Sequence, residues 1–95
     1  MNGRKLVAWN LRRLRVGRRL SQEKLAADAV VDRAYMSRLE RELENPTVAL
    51  LDRLARALSA HISEFFVEPK AGEARPRPLP GGRHAKRAIR GKKTS

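Results

Sequence analysis

The 95-residue chain contains no cysteine, which excludes disulfides and thiolate metal sites. Its two histidines, His61 and His84, lie far apart in different kinds of sequence, so no metal or other cofactor is expected. No apolar run approaches the ~20 residues that span a bilayer, and the N-terminus opens in charged sequence without the apolar core of a signal peptide. A cytoplasmic protein with no membrane association is the expectation. A histidine–carboxylate–nucleophile grouping and a glycine-rich phosphate loop after a strand are also missing, so an enzyme is not expected. Acidic residues are scarce: 10 Asp and Glu face 22 Lys and Arg, a formal charge of +12. That balance favours polyanionic partners, nucleic acid before anionic membrane, through long-range attraction and counterion release.

The excess charge is unevenly placed. Up to Pro69 there are 13 basic and 9 acidic residues, a net of +4; from Lys70 on there are 9 and 1, a net of +8. The latter stretch carries three prolines (Pro76, Pro78, Pro80) and several glycines, with Leu79 and Ile89 its only large aliphatics. It buries too little surface to fold, so residues 70–95 are expected to be a disordered basic tail behind a single domain of residues 1–69. Such a tail adds sequence-independent attraction to phosphate, or serves only as a solvated extension. With no aromatic among its basic residues it is a poor platform for stacking single-stranded bases.

Helical spacing governs the folded part, and no strand-like alternation appears, so the fold class is all-α. Residues 4–16 form a first amphipathic helix, with Val7, Leu11 and Leu14 inward and Arg4, Lys5, Arg12 and Arg13 on the other face. Ser21 is placed to cap a short second helix, residues 22–29, whose Leu25, Ala26 and Ala29 allow close approach of a neighbour. Asp32 caps a third, residues 33–41, in which Met36 and Leu39 point inward while Arg33, Ala34, Ser37 and Arg38 stay outside. Asn45-Pro46-Thr47 separates it from a fourth helix, residues 48–58, with a stripe of Leu50, Leu54 and Leu58. Ser63 is placed to cap a last short helix, Glu64 to Val67; Trp9, Phe65 and Phe66 read as core, with one phenylalanine alternatively in a dimer interface.

Ser21 to Ala27, SQEKLAA, then YMSRLER from Tyr35, then NPT and a leucine-striped helix, follow in the order and spacing of a known motif. Over roughly Leu11 to Phe66 the chain resembles the Cro/C1-type (Xre) helix-turn-helix domains of phage repressors and restriction-modification controllers. The resemblance implies a compact five-helix, lambda repressor-like domain that binds double-stranded DNA, with the third helix in the major groove and the second across the backbone. By position, Arg33, Ala34, Ser37 and Arg38 are the expected base contacts. Arginine can bridge guanine O6 and N7, a contact worth ~1–3 kcal/mol of discrimination, and Ala34 can meet a thymine methyl.

Ser21, Gln22, Tyr35, Arg41 and Asn45 are the expected phosphate contacts, Gln22 with a second role in bracing the third helix. Arg15 and Glu40 match a family ion pair between the first and third helices and are assigned to structure. A homodimer on a pseudo-palindromic operator follows by the same route. The alternative is an Xre-type antitoxin or other protein-interaction partner whose basic tail folds on another protein and whose DNA binding is autoregulatory. A general, charge-driven nucleic-acid binder is the third reading. The chain departs from the resemblance at three turns where glycine is usual, with Val30, Glu42 and Ser59 in its place. At ~1 kcal/mol or more for each residue forced into the left-handed region, the turns either rearrange or carry the strain. Glu42 also puts a negative charge near the expected path of a phosphate.

Overall fold

The structure, a computed structural model, describes residues 2–70; Met1 and, Lys70 apart, the tail expected to be disordered lie outside the described residues. Among these are four α-helices and no strand: α1 (Gly3–Gly17), α2 (Gln22–Ala29), α3 (Arg33–Glu40) and α4 (Val48–Ala57). The fifth helical element is a 3-10 segment, Ile62–Phe66, rather than the short helix expected from Glu64 to Val67. His61, and not Ser63, caps it: the His61 ring accepts from the Ser63 amide. The other caps are as the sequence predicts. Ser21 Oγ accepts from Lys24 N at 2.9 Å, Asp32 Oδ2 from Tyr35 N at 3.0 Å and Thr47 Oγ1 from Leu50 N at 3.0 Å, each satisfying one orphan amide of its helix. Asn2 adds a fourth cap, accepting from Lys5 N, that the sequence reading missed.

α2 packs against both α3 and α4, while α1 lies against α3 and the 3-10 segment. Leu11, Leu25, Met36, Leu39, Leu54, Leu58 and Phe65 meet in one core. Ala26 and Ala29 are buried in it too, and their small side chains let α2 sit close to its neighbours. The inward stripe of α4 runs through Leu51, Leu54, Ala55 and Leu58; Leu50, expected on it, is half-buried at its edge. Of the aromatics, Trp9 and Phe65 are buried as expected and Phe66 is 48% exposed.

Each helix ends in the same device. Arg19, Val30, Glu42 and Ser59 have φ of 57°, 57°, 67° and 53°. In every case the residue that follows bonds back across six residues: Leu20 N to Arg15 O, Val31 N to Ala26 O, Leu43 N to Arg38 O and Ala60 N to Ala55 O. These are Schellman closures with a side-chain-bearing residue where glycine is usual. The three turns singled out in the sequence thus keep their geometry and carry the strain, and Arg19 makes a fourth. Leu20, Val31 and Ala60 pack onto the core behind the turns. Arginines occupy the carbonyls left over: Arg15 Nη1 bonds Leu20 O at 2.8 Å, Arg53 Nη2 bonds Val30 O at 2.8 Å, and Arg18 Nε bonds Leu58 O. A cation at a helix C-terminus also meets the negative end of the dipole.

Two polar knots hold α1 in place. Asn10, fully buried, shares the two N–H donors of its Nδ2 among three carbonyls, Leu6 O, Phe65 O and Val67 O, at 3.0, 2.9 and 2.8 Å. Its Oδ1 accepts from Arg13 Nε, and Arg13 Nη2 continues to Glu64 O and Oε1. The second knot is the expected ion pair. Arg15 meets Glu40 through two parallel bonds, Nε to Oε2 at 2.6 Å and Nη2 to Oε1 at 3.0 Å, with both residues buried. Arg12, expected on the outer face, also turns to Glu40, with Nε 3.9 Å from Oε1.

Two stability measurements follow. Glu40→Ala leaves the Arg15 guanidinium buried without its partner and lowers the unfolding free energy by ~3–5 kcal/mol, whereas replacing both Arg15 and Glu40 with apolar residues of similar volume costs less than the single change. Urea unfolding of both variants decides it; a larger loss in the double variant refutes the account. Val30 is 81% exposed, so Val30→Gly removes strain and little packing. It raises stability by ~1 kcal/mol, a Tm gain of about 4–8 °C for a domain of this size.

Candidate nucleic-acid interface

The inner side of α3 is committed to the fold by Met36, Leu39 and Glu40, all buried. Because helix faces recur every three to four residues, the remaining positions are turned out together. Arg33 and Ala34 are exposed, and Ser37 and Arg38 are half-exposed. Gln22, the first residue of α2, joins three of them: an open notch of about 250 Å³ is lined by Gln22, Arg33, Ala34 and Ser37. A guanidinium, a methyl, a hydroxyl and a carboxamide thus surround one depression, a set that offers hydrogen bonds of both senses beside an apolar contact.

Gln22 is held from behind. Its Nε2 donates to Glu40 Oε1 at 3.2 Å, so the carboxylate that receives Arg15 also ties the start of α2 to α3. The expected bracing role of this glutamine has a structural counterpart. Ser21 lies next to it, its hydroxyl capping α2, whose N-terminal amides and exposed start would suit an anion.

Arg38 is not part of the notch. Its Nε donates to Glu44 Oε2 at 2.7 Å, and its guanidinium carbon sits 5.7 Å from the centre of the Tyr35 ring, within cation–π range. Glu44 is a partner that the sequence reading did not find. It lies six residues beyond Arg38, past the left-handed Glu42, and only the reversal of the chain brings it back. A helical i, i+3 or i, i+4 search cannot register such a pair.

Tyr35 is half-buried against the core and Arg41 and Asn45 are exposed, so the expected phosphate contacts flank α3 at both ends. The Tyr35 hydroxyl is pushed above its ordinary pKa chiefly by burial and secondarily by the Glu44 carboxylate, with Arg38 acting in the opposite sense. It therefore stays protonated, and able to donate to an anion, throughout the neutral and mildly alkaline range. Tyr35 is the single tyrosine of the chain, so its titration is directly visible in ultraviolet absorbance. Glu44→Gln removes one raising influence and moves the midpoint down, while Arg38→Ala moves it up; shifts of the reverse sign would contradict the geometry.

Among the described residues no group of three or more His, Asp or Glu could hold a metal ion, and no helix is long and apolar enough to cross a membrane. A family model described as "Helix-turn-helix" matches residues 11–65. An HTH-type transcriptional regulator of Sinorhizobium fredii is 47% identical over 58 residues, 61% of this chain and 75% of that protein. The crystal structure of a hypothetical transcription factor from Neisseria superposes with a TM-score of 0.69 at 32% identity, covering 72% of this chain and 78% of the other. The restriction-modification controller protein C.AhdI of Aeromonas hydrophila gives 0.65 at 35%, covering 66% and 96%.

Proposed function

The chain belongs to the Cro/C1-type (Xre) helix-turn-helix family of transcriptional regulators, and from that premise we propose that it reads a specific duplex sequence with α3 in the major groove. The observation that carries the proposal is the division of α3 into two faces. One is locked inward by Met36, Leu39 and the Glu40 ion pair; the other gathers Arg33, Ala34 and Ser37 with Gln22 around one notch. A helix held this firmly can present side chains to base edges without first being ordered by the DNA, which lowers the entropic cost of recognition.

In this reading Arg33, Ala34, Ser37 and Arg38 contact bases. Ser21, Gln22, Tyr35, Arg41 and Asn45 contact phosphates on either side. Two copies bind a pseudo-palindromic operator with half-sites about one helical turn apart. The domain of residues 1–69 supplies sequence preference, and the tail, with its net +8, supplies affinity that falls steeply with salt.

Selection of bound duplexes from a random pool, at near-physiological salt, separates these contributions. The full chain and a version ending at Pro69 are expected to recover the same inverted repeat, with the shorter chain binding more weakly. Replacing Arg33 and Arg38 by alanine abolishes the preference while leaving residual, salt-sensitive binding. Binding that shows no motif and disappears with the tail would mean that charge alone drives association, and the reading would be wrong.

A further inference from the structure

The Arg38–Glu44 pair poses a question that base contact alone leaves open. On a chain of net charge +12, an exposed arginine has phosphates within reach wherever it meets a duplex. An arginine meant for a base must be kept from them. A guanidinium has five N–H donors in a rigid fork, one on Nε and four on the two terminal nitrogens. Here the Nε donor is committed to Glu44 Oε2 at 2.7 Å, and the guanidinium lies by the Tyr35 ring. The two side chains remain partly open, Arg38 at 42% and Glu44 at 27% exposure, so an outside acceptor can still approach the fork.

We propose that Glu44 is a specificity-determining positioning residue: its carboxylate fixes the Arg38 guanidinium so that the terminal nitrogens are offered to the O6 and N7 acceptors of a guanine rather than to a phosphate. The proposal rests on the reading that α3 enters the major groove. Three consequences of the geometry support it. Fixing Nε removes rotamer freedom that a free arginine would lose on binding. The Glu44 charge opposes approach of a phosphate to the same place. The remaining edge carries two parallel donors, the arrangement that matches a guanine and discriminates against the other bases. Tyr35 supplies the apolar wall, so the guanidinium is confined on one side by a ring and on another by a carboxylate.

Glu44 also follows the α3 turn, where the Schellman partner Leu43 is 57% exposed instead of packed, so a purely structural role for the pair has to be distinguished. The experiment uses the full chain as wild type, Glu44→Gln, Arg38→Ala and the double variant. Each is titrated with the selected operator, with the operator altered at the base pair whose preference Arg38→Ala abolishes, and with a random duplex of equal length. Thermal unfolding of each variant reports any loss of fold separately.

Glu44→Gln is expected to bind the random duplex several-fold more tightly and to lose about 5-fold or more of the discrimination at that one base pair. Its salt dependence should steepen by about one phosphate contact. In the Arg38→Ala background the same substitution should leave discrimination unchanged. If Glu44→Gln weakens all three duplexes alike, or keeps its full effect without Arg38, the carboxylate only props the α3 turn and the inference is overturned. If Arg38→Ala leaves every base preference intact, the inference fails while the groove reading stands. A wild-type protein with no preferred sequence would overturn both.

Discussion

Glu40 projects from the last turn of α3 into a place where almost no water reaches it, and three residues from two other helices converge on its carboxylate. Arg15 approaches from α1 with two parallel bonds, Arg12 from the same helix at longer range, and Gln22 from the start of α2. A buried carboxylate is costly to desolvate, and the attraction of its partners returns that cost only if the geometry is good. The two bonds to Arg15 meet that condition. What the arrangement supplies beyond stability is position: α3 can neither roll nor slide along α2 without breaking a bond to Glu40. Its outer face, with Arg33, Ala34 and Ser37, inherits that fixed orientation.

Much of this was legible in the amino-acid sequence because the relevant signals are local. The Ser21, Asp32 and Thr47 caps lie three residues ahead of the amides they accept from, and helix boundaries fall within a residue or two of those expected. The Arg15–Glu40 pair, separated by 25 residues, was reached only through the family resemblance. The unforeseen contacts that tie α1 to the C-terminal half of the domain have one property in common: they join groups that are distant in the chain and end on backbone carbonyls. Asn10 bonds to Phe65 O and Val67 O, 55 and 57 residues away, and Arg18 reaches Leu58 O. A carbonyl carries no residue identity, so no pattern of side chains announces these bonds. The start of the short 3-10 segment differs from the expectation because His61, whose ring accepts a hydrogen bond from the Ser63 amide, is not among the usual caps.

The outer face was legible in its residues but not in its pairing. Arg33, Ala34 and Ser37 share a notch with Gln22 because helical periodicity requires the first three to face alike. Arg38 belongs to the same face by periodicity, yet it lies with Tyr35 and Glu44. The cause is the left-handed Glu42, which turns the chain sharply enough for the second residue after it to come back on α3. A strained backbone position therefore determines which partner Arg38, one of the proposed base contacts, keeps.

The four glycine-free turns fit the same logic. Each non-glycine residue in the left-handed region costs about 1 kcal/mol or more, and a domain of this size has few kcal/mol to lose. Three turns offset that cost by packing Leu20, Val31 or Ala60 onto the core, and arginine side chains reach into the turns after α1 and α2 and to the carbonyl of Leu58, which caps α4. At the α3 turn Leu43 is exposed instead of packed, and the Arg38–Glu44 pair spans the turn on the outer face. The turn whose apolar residue stays exposed is thus the one next to the proposed contact surface. Any ligand that engages Arg38 therefore meets a guanidinium already paired with a carboxylate from beyond the turn, so the local path of the chain after α3 bears directly on what that arginine can offer.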